Sequence, residues 1–372
     1  MKNPFLTYGY NGPEYFCDRA DETERLIKLL TNGNHVALVS PRRMGKTGLI
    51  KHCFSQQELK DNYYLFIVDI YATKSLAELI YELGRTILSV LKSKGRKAWE
   101  RFIQIAASLR TGITLDGLGQ PCWNLEIGDI QTPSASLDEI FLYLSEADRP
   151  CIVAIDEFQS IMDYPEQNVE ALLRTYIQNC NNARFVFSGS KRHMMGEMFS
   201  SPSRPFYQSA SMISLRPIPL VSYTSFILHH FEQNGYGISP DAIKYLYERF
   251  DGTTWYIQKI CNEVFASAEI GQLCNTNDID TAITHAVEEK EDVYQDLMGR
   301  ISIKQKALLL ALAHEKNEAK PTSGTFIRKY KLTSASTVQR NLSALQDKDI
   351  LTNENGKYQI YDYFLFFWLN RI

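Results

Sequence analysis

Residues 36–50 of the chain read VALVSPRRMGKTGLI. The apolar residues 36–39 predict a buried parallel strand, and residues 48–50 predict the first turn of a helix. Between them, residues 40–47 have the spacing of a phosphate-binding loop, except that Ser40 stands where the first glycine usually does. The stretch therefore predicts a strand, a loop and a helix that together bind phosphate.

The residue types of this loop match the chemistry of binding a nucleoside triphosphate. A loop that turns into a helix N-terminus directs several backbone N–H groups at one point, where the helix dipole adds partial positive charge. Gly45 lets the backbone approach the phosphates, Lys46 reaches the β- and γ-phosphates, and the Thr47 hydroxyl is a ligand for Mg²⁺. We therefore expect ATP and Mg²⁺ as cofactors. The residues expected to contact the nucleotide are Ser40, Pro41, Arg42, Arg43, Met44, Gly45, Lys46, Thr47 and Gly48.

A second motif supplies two neighbouring acids. Residues 151–157 read CIVAIDE, an apolar run that predicts a strand ending in Asp156 and Glu157. Asp156 can hold Mg²⁺ through water, beside Thr47, and Glu157 can polarise the attacking water. Two acids after an apolar run are also common at plain strand ends. Their combination with the phosphate-binding loop favours ATP hydrolysis, with Glu157 and Lys46 as catalytic residues.

A further strand is predicted over residues 184–190, RFVFSGS. Ser188 or Ser190 would lie near the γ-phosphate if this strand neighbours the strand before the phosphate-binding loop, although an ordinary strand-to-loop turn explains either serine equally well. The loop that follows carries Arg192 and Arg204, either of which could act as an arginine finger that stabilises transition-state charge. We take Arg204 as the candidate, with a purely structural role as the alternative for each arginine.

Composition places the chain among ordinary globular proteins. Its 372 residues predict two or three domains, which we place at 1–215 for an α/β core, 216–294 for a helical lid and 295–372 for a winged helix. Apolar residues make up 44%, no apolar run is long enough to cross a membrane, and the first residues lack the core of a signal peptide. The seven scattered cysteines favour reduced thiols in the cytoplasm over a disulfide framework or a zinc site.

Two segments of the core have weaker patterns. Ahead of the phosphate-binding loop, Asp18 is predicted to be the N-cap of a helix, and spacing alone favours solvated helix charges for Arg19 and Glu22. Residues 110–133 alternate apolar and polar residues around GLGQP, which predicts a hairpin insertion whose role cannot be read from the sequence.

The last part of the chain predicts a winged helix. Helices are expected over 303–313, 323–330 and 333–346, followed by a hairpin over 350–360. The residues from 299 onward carry a net charge of +6, and the rest of the chain carries −9.

Duplex DNA, bound through residues 323–360, is one expected partner. A protein partner or a second copy of the chain is the alternative, and the aromatic end, YDYFLFFWLNRI, would then be either a packed segment or a partner site. Base edges could be read by Ser336, Thr337, Gln339, Arg340 and Asn341, and phosphates met by Arg328, Lys329 and Lys331.

Taken together, these segments resemble one family along nearly the whole chain. FCDRADE (residues 16–22), SPRRMGKTGLI, CIVAIDEF, FVFSGS and GKYQIYDYFLFFWL occur in the order of the archaeal-type P-loop ATPases of the STAND branch of the AAA+ superfamily. The resemblance implies an ATPase core, a helical lid and a winged helix. It also implies that residues 16–22, including Arg19, lie near the adenine and that Glu157 is the catalytic carboxylate. Where the family's lid has a Gly-x-Pro segment, this chain has DGTTWYIQ at residues 251–258, without a proline.

We therefore expect an α/β fold with a parallel sheet, a helical lid and a C-terminal winged helix. The expected function is an ATP-binding and slowly hydrolysing molecular switch whose winged helix engages DNA. The alternative is a nucleotide-controlled protein-interaction scaffold that does not bind DNA.

Overall fold

The computed structural model describes residues 3–91, 113–115, 121–123, 133–315, 320–354 and 356–371. These residues form two compact units. The first, the sheet unit, consists of Leu6–Tyr223 and the short segment Thr253–Trp255. The second, the helical unit, consists of the described parts of residues 1–5, 224–252 and 256–372.

The sheet unit is built on five parallel strands. The strands of this unit, including a small antiparallel hairpin formed by β3 and β4, are β1 Val36–Val39, β2 Tyr64–Asp69, β3 Ile113–Leu115, β4 Pro121–Trp123, β5 Cys151–Asp156, β6 Ala183–Gly189 and β7 Ser211–Ser214. The five-stranded sheet has the order β2-β5-β6-β1-β7. Because β1 lies between β6 and β7 and is parallel to both, its carboxyl end adjoins the carboxyl ends of these two strands.

Helices cover both faces of this sheet. They are α1 Ala20–Thr31, α2 Lys46–Ser55, α3 Gln57–Asn62, α4 Leu76–Leu91, α5 Pro133–Glu146, α6 Val169–Asn179 and α7 Arg192–Ser200, with 3₁₀ turns at Pro13–Tyr15 and Phe158–Asp163. Strand β1 shows why two layers are needed. Val36 and Leu38 pack among residues of α1, α2 and α3, whereas Ala37 and Val39 pack among residues of α4 to α7. A parallel strand that is apolar on both faces is stable only when both faces are covered, and the predicted α/β class is confirmed.

The helical unit includes most of α8, whose first residues, up to Tyr223, belong to the sheet unit. Its elements are α8 Leu220–Gln233, β8 Gly237–Ile238, α9 Pro240–Arg249, α10 Thr254–Ser267, β9 Leu273–Cys274, α11 Thr276–Glu288, α12 Glu291–Gly299, α13 Ile303–Glu315, α14 Gly324–Lys329, α15 Ala335–Asp347, β10 Leu351–Glu354, β11 Lys357–Ile360 and α16 Tyr363–Leu369. Ser239, Ser323 and Ser334 cap α9, α14 and α15 through their hydroxyls, as serine at an N-cap does. Helices α13, α14 and α15 and the β10–β11 hairpin form the predicted winged-helix order.

Two local predictions at α1 are wrong. Asp18 is not the N-cap, because α1 begins at Ala20 after Arg19, and both Asp18 and Arg19 are left-handed, with φ of 54° and 68°. An N-cap side chain normally needs an extended backbone to reach back to the helix amides, which this conformation does not provide. Nor is Arg19 a solvated helix charge, since it is only 4% exposed.

The aromatic end of the chain is buried. In α16, Phe364, Leu365 and Trp368 are all less than one-tenth exposed, and Asp362 caps the helix. The Phe364 ring lies 5.1 Å from the Tyr256 ring of α10. The expectation that this segment packs is confirmed, and its alternative as an exposed partner site is wrong, because these rings fill the interior of the helical unit.

Two further features of the described residues bear on the sequence predictions. Six of the cysteines there are buried, namely Cys17, Cys53, Cys151, Cys180, Cys261 and Cys274. Within the same residues, no helix has both the length and the apolar character needed to cross a membrane.

Candidate active site

The phosphate-binding loop joins β1 to α2, as the sequence predicts. Gly45 is left-handed, with φ of 91°, which a glycine adopts without steric cost, and α2 begins at the next residue. The loop therefore presents the unpaired N–H groups of a helix N-terminus at the edge of the sheet. Ser40, in contrast, lies outside the left-handed region, so its side chain is accommodated where glycine is usual. Its N–H donates to the Gly189 carbonyl over 3.3 Å and ties the loop to β6.

Lys46 folds back over this loop. Its Nζ donates to the carbonyl oxygens of Ser40 at 2.9 Å and Pro41 at 3.2 Å, and the side chain is only 6% exposed. Burial lowers the pKa of Lys46, and the negative charges of Glu157 and Asp156 oppose that effect. A buried ammonium next to an amide-lined loop provides positive charge where a phosphate would bind.

Asp156 gathers three donors at the carboxyl end of β5. Its Oδ2 accepts from the Thr47 hydroxyl at 2.5 Å, and its Oδ1 accepts from the Ser188 hydroxyl at 2.7 Å and the Glu157 N–H at 3.1 Å. Asp156 is 6% exposed. The structure thus brings together Thr47, Asp156 and Ser188, and it meets the condition set for Ser188, because β6 neighbours β1. Strand β2 adds Asp69, which sequence reasoning missed and which lies opposite Asp156 in the sheet register.

Glu157 has a left-handed backbone, with φ of 56°, and its side chain has different partners from that of Asp156. Its Oε2 accepts from the Ser190 hydroxyl at 2.6 Å and from Gln159 Nε2 at 2.5 Å. The Gln159 Oε1 in turn accepts from the Ser190 N–H at 3.2 Å, and Gln159 is buried. These bonds fix the orientation of the Glu157 carboxylate. Sequence reasoning missed Gln159, although it lies only two residues after the acid pair.

Arg19 contacts the loop from outside. Its Nη1 donates to Glu22 Oε1 at 2.6 Å, and its Nη2 donates to the Met44 carbonyl at 3.2 Å. Nearby, the Phe16 ring stacks on the His52 ring of α2 with centroids 4.2 Å apart, and a Cβ on Gly48 would lie 3.6 Å from the Phe16 ring. Arg19 therefore contacts the loop, and Phe16 packs beside α2.

The two candidate arginine fingers are in different surroundings. Arg204 Nε lies 3.6 Å from Glu170 Oε2 and 3.5 Å from Glu197 Oε1, so it belongs to an ion-pair cluster of the sheet unit. None of its contacts with the described residues reaches the phosphate-binding loop. The positive charges of Arg42 and Arg192, by contrast, contribute to lowering the pKa of Lys46. Arg192 is thus within electrostatic reach of the loop, and Arg204 is not brought together with the other candidates.

The donor set near Thr47 suits Mg²⁺ bound together with phosphates. The described residues contain no group of three or more His, Cys, Asp or Glu side chains that could hold a metal ion by themselves. Magnesium in phosphoryl-transfer sites uses one or two protein oxygens and takes the remaining ligands from phosphate and water. The Thr47 hydroxyl and the Asp156 carboxylate fit that pattern.

A family model for ATPase domains found predominantly in Archaea matches residues 16–260. This chain belongs to that family. A second model, for a probable winged-helix domain, matches residues 292–371. The ATPase domain therefore contains both the phosphate-binding loop and the acid pair. Among curated protein sequences, none matches the chain.

Solved structures of similar fold cover almost all of this ATPase. A Walker-type ATPase of Pyrococcus abyssi is 19% identical over 99% of this chain and 100% of its own, with a TM-score of 0.64. The ORC2 protein of Aeropyrum pernix, solved with ADPNP and ADP, is 14% identical over 100% of this chain and 97% of its own, with a TM-score of 0.60. The Aeropyrum pernix ORC1 protein in complex with DNA is 13% identical over 96% of this chain and 93% of its own, with a TM-score of 0.53. These likenesses establish the fold: a P-loop NTPase core, a helical region and a winged helix.

Proposed function

We propose that this ATPase domain binds ATP with Mg²⁺ at residues 40–48, hydrolyses it slowly and works as a molecular switch. The observation that carries the proposal is the cluster of Thr47, Asp156 and Ser188 beside the buried Lys46. It supplies a hydroxyl and a carboxylate for a metal ion and an ammonium for the phosphates, as nucleotide hydrolysis requires.

The proposed chemistry gives each side chain one task. Bound Mg²⁺ would neutralise phosphate charge, held by Thr47 and, through water, by Asp156. Lys46 binds the terminal phosphates in place of its present carbonyl partners. Glu157 orients and polarises the attacking water, and its bonds to Gln159 and Ser190 keep its carboxylate in place. We propose Arg204 as the arginine finger that stabilises transition-state charge, with Arg192 as the alternative.

Steady-state phosphate release tests the hydrolysis. We expect Mg²⁺-dependent turnover by the wild type that is lost on chelation with EDTA and in Lys46→Ala. Lys244→Ala, an exposed position whose ammonium lies 3.9 Å from Glu248, is the matched control and should keep wild-type turnover. Equal rates for wild type and Lys46→Ala would refute the site.

We further propose that the winged helix, within residues 295–372, engages duplex DNA. Along α15, Ser336, Gln339 and Arg340 are exposed, whereas Thr337 and Asn341 are half-buried. Arg328 and Lys331 near α14 are also exposed, whereas Lys329 pairs with Glu315, which offsets part of its charge. An exposed polar helix flanked by cations suits groove and phosphate contacts. The ORC1 complex with DNA is a precedent in a protein of similar fold.

A salt titration of duplex binding tests this part. Counterion release predicts that affinity falls steeply with salt concentration and that Arg340→Ala lowers the affinity more than Lys244→Ala does. An absence of binding at low ionic strength would refute it and leave the protein-interaction scaffold. The aromatic segment does not support that scaffold, because its residues in α16 are buried. We also propose domain boundaries after residues 215 and 294 and membership of the STAND branch.

A further inference from the structure

We infer that the start of α10 positions the phosphate-binding loop: Thr254 and Trp255, together with Arg19, hold two successive peptide groups of the loop so that their N–H groups face the phosphates. The inference rests on the proposed ATP site and adds the residues that shape it. Thr253–Trp255 belongs to the same compact unit as the loop, although the rest of α10 does not.

The first peptide group is the one between Arg43 and Met44. Its carbonyl, on Arg43, accepts from the backbone N–H of Trp255 at 3.0 Å. Trp255 is fixed on two further sides. The Arg43 guanidinium lies 4.7 Å from the centre of its ring, and its indole N–H donates to the Thr7 carbonyl at 2.9 Å. The anchor is thus a rigid side chain held by the loop and by the N-terminal segment.

The second peptide group is the one between Met44 and Gly45. Its carbonyl, on Met44, accepts from the Thr254 hydroxyl at 3.3 Å and from Arg19 Nη2 at 3.2 Å. Arg19 is buried and tied to Glu22, so it is also a fixed donor. One carbonyl therefore receives a neutral and a charged hydrogen bond from two segments that are far apart in the sequence.

Because each peptide group is planar, the direction of its carbonyl also fixes the direction of its N–H group. A trans peptide is planar, and its C=O points opposite to the N–H of the following residue. The carbonyls of Arg43 and Met44 point toward α10 and Arg19. The N–H groups of Met44 and Gly45 consequently point to the other side of the loop, next to the first free N–H groups of α2. These two amides complete the amide-lined surface that would bind the phosphates.

The anchors also account for an unfavourable conformation. Arg43 has φ of 68°, a left-handed value that a residue with a side chain adopts only when its surroundings hold it there. The bond to the Trp255 N–H and the contact of the guanidinium with the indole ring provide that support. Loss of these contacts removes part of the support for the left-handed conformation of Arg43.

The hydrogen bond of Thr254 also bears on the absence of a proline from residues 251–258. In the Gly-x-Pro pattern, Gly252 and Thr253 are followed by Thr254 where the proline would stand. Proline has no side-chain donor, whereas the Thr254 hydroxyl reaches the Met44 carbonyl. The departure from the pattern replaces a residue that cannot donate with one that holds the loop.

Variants at adjacent threonines test the inference. Thr254→Val keeps the shape of the side chain and removes the hydroxyl, Thr254→Ser restores it, and Thr253→Val is the matched control. Among the described residues, the Thr253 hydroxyl has no hydrogen-bond partner. Calorimetry would give the dissociation constants for Mg·ATP and ADP, and thermal unfolding of the nucleotide-free proteins would monitor the fold.

We expect Thr254→Val to bind both nucleotides about five-fold more weakly, because without this bond the loop spends less time in the arrangement that binds phosphate. Thr254→Ser and Thr253→Val should match the wild type in affinity and melting temperature, whereas Thr254→Val, which loses the same bond in the nucleotide-free protein, should melt about 2–4 °C lower. Equal affinities for Thr254→Val and Thr253→Val would overturn the inference while leaving the ATP site intact. A lower melting temperature for Thr254→Val without rescue by serine would also overturn it, since the residue would then only support the fold. A wild type that binds no nucleotide would overturn both proposals.

Discussion

Replacing Gly189 with alanine should weaken both the fold of the sheet unit and the hydrolysis of ATP. Gly189 ends β6, and a Cβ built on it would collide with Met195 Sδ and lie 2.5 Å from Met195 Cγ and 2.6 Å from Gln159 Oε1. Both neighbours are buried, so each must move into space that is already filled. Gln159 is the residue that holds the Glu157 carboxylate. The added methyl group therefore disturbs the core and the proposed catalytic acid together.

Overpacking of this kind costs about 1–3 kcal/mol. In a unit of this size, about 2 kcal/mol lowers the unfolding midpoint by roughly 4–8 °C. For hydrolysis, a positioned general base contributes about 10²–10⁴-fold, and loss of its orientation removes part of that factor, about ten-fold in turnover. Because the nearest atoms to the added methyl group belong to Met195 and Gln159, which do not line the phosphate-binding loop, the affinity for Mg·ATP should change less than turnover.

Gly196→Ala is the matched control. Gly196 lies within α7, and a Cβ there meets no atom within 4 Å. Alanine is a better helix former than glycine, so this variant should be more stable than the wild type by about 0.5–1 kcal/mol and hydrolyse ATP normally. Thermal unfolding and phosphate release would be measured on both variants. The reasoning fails if Gly189→Ala melts and turns over like the wild type, or if both alanine variants behave alike.

Three further predictions follow from single residues. Glu157→Gln keeps the size of the side chain and should lower ATP turnover by about 10²–10⁴-fold with unchanged ATP affinity, and equal phosphate release would exclude Glu157 as the base. Burial and, second, Arg184 lower the pKa of His35 to about 4 from its ordinary 6.5, and its Nδ1 accepts from the Phe185 N–H. The folded state should therefore lose stability as the pH falls from 6.5 toward 4, by up to about 3 kcal/mol, because the unfolded chain takes up the proton first. Denaturant unfolding at several pH values should show a smaller loss for His35→Asn, and an unchanged loss would contradict this. Lys331→Ala should reduce the slope of log affinity for duplex DNA against log salt by about 0.9, and an identical slope would argue against a phosphate contact there.

The phosphate-binding loop and the acid pair could be predicted because their signals are local. Each follows a short apolar strand, and the carboxyl ends of parallel strands meet at one edge of the sheet. Knowing that Thr47 and Asp156 both follow such strands was enough to expect them to be neighbours, and their oxygens lie 2.5 Å apart. The winged helix was equally accessible, since its helix starts and hairpin turn depend on neighbouring residues.

The residues that fix the orientation of the site could not be predicted in this way. Arg19 and Thr254 both reach the Met44 carbonyl, from 25 and 210 residues away. A hydrogen bond from a side chain to a distant backbone carbonyl leaves no periodic pattern in the sequence. Arg19 and Asp18 also form a left-handed turn ahead of α1 that contains no glycine, so the sequence carries no sign of it. Whether the aromatic end is buried or exposed could not be predicted either, because composition alone does not distinguish a buried helix from an exposed patch.

Isothermal titration calorimetry of Mg·ATP with the wild type and Lys46→Ala tests the central claim most directly. The account predicts saturable binding to the wild type at one site per chain, weakened when Mg²⁺ is withheld and lost in Lys46→Ala, with both proteins folded by circular dichroism. No heat of binding with folded wild type, or the same binding curve for both proteins, would contradict it.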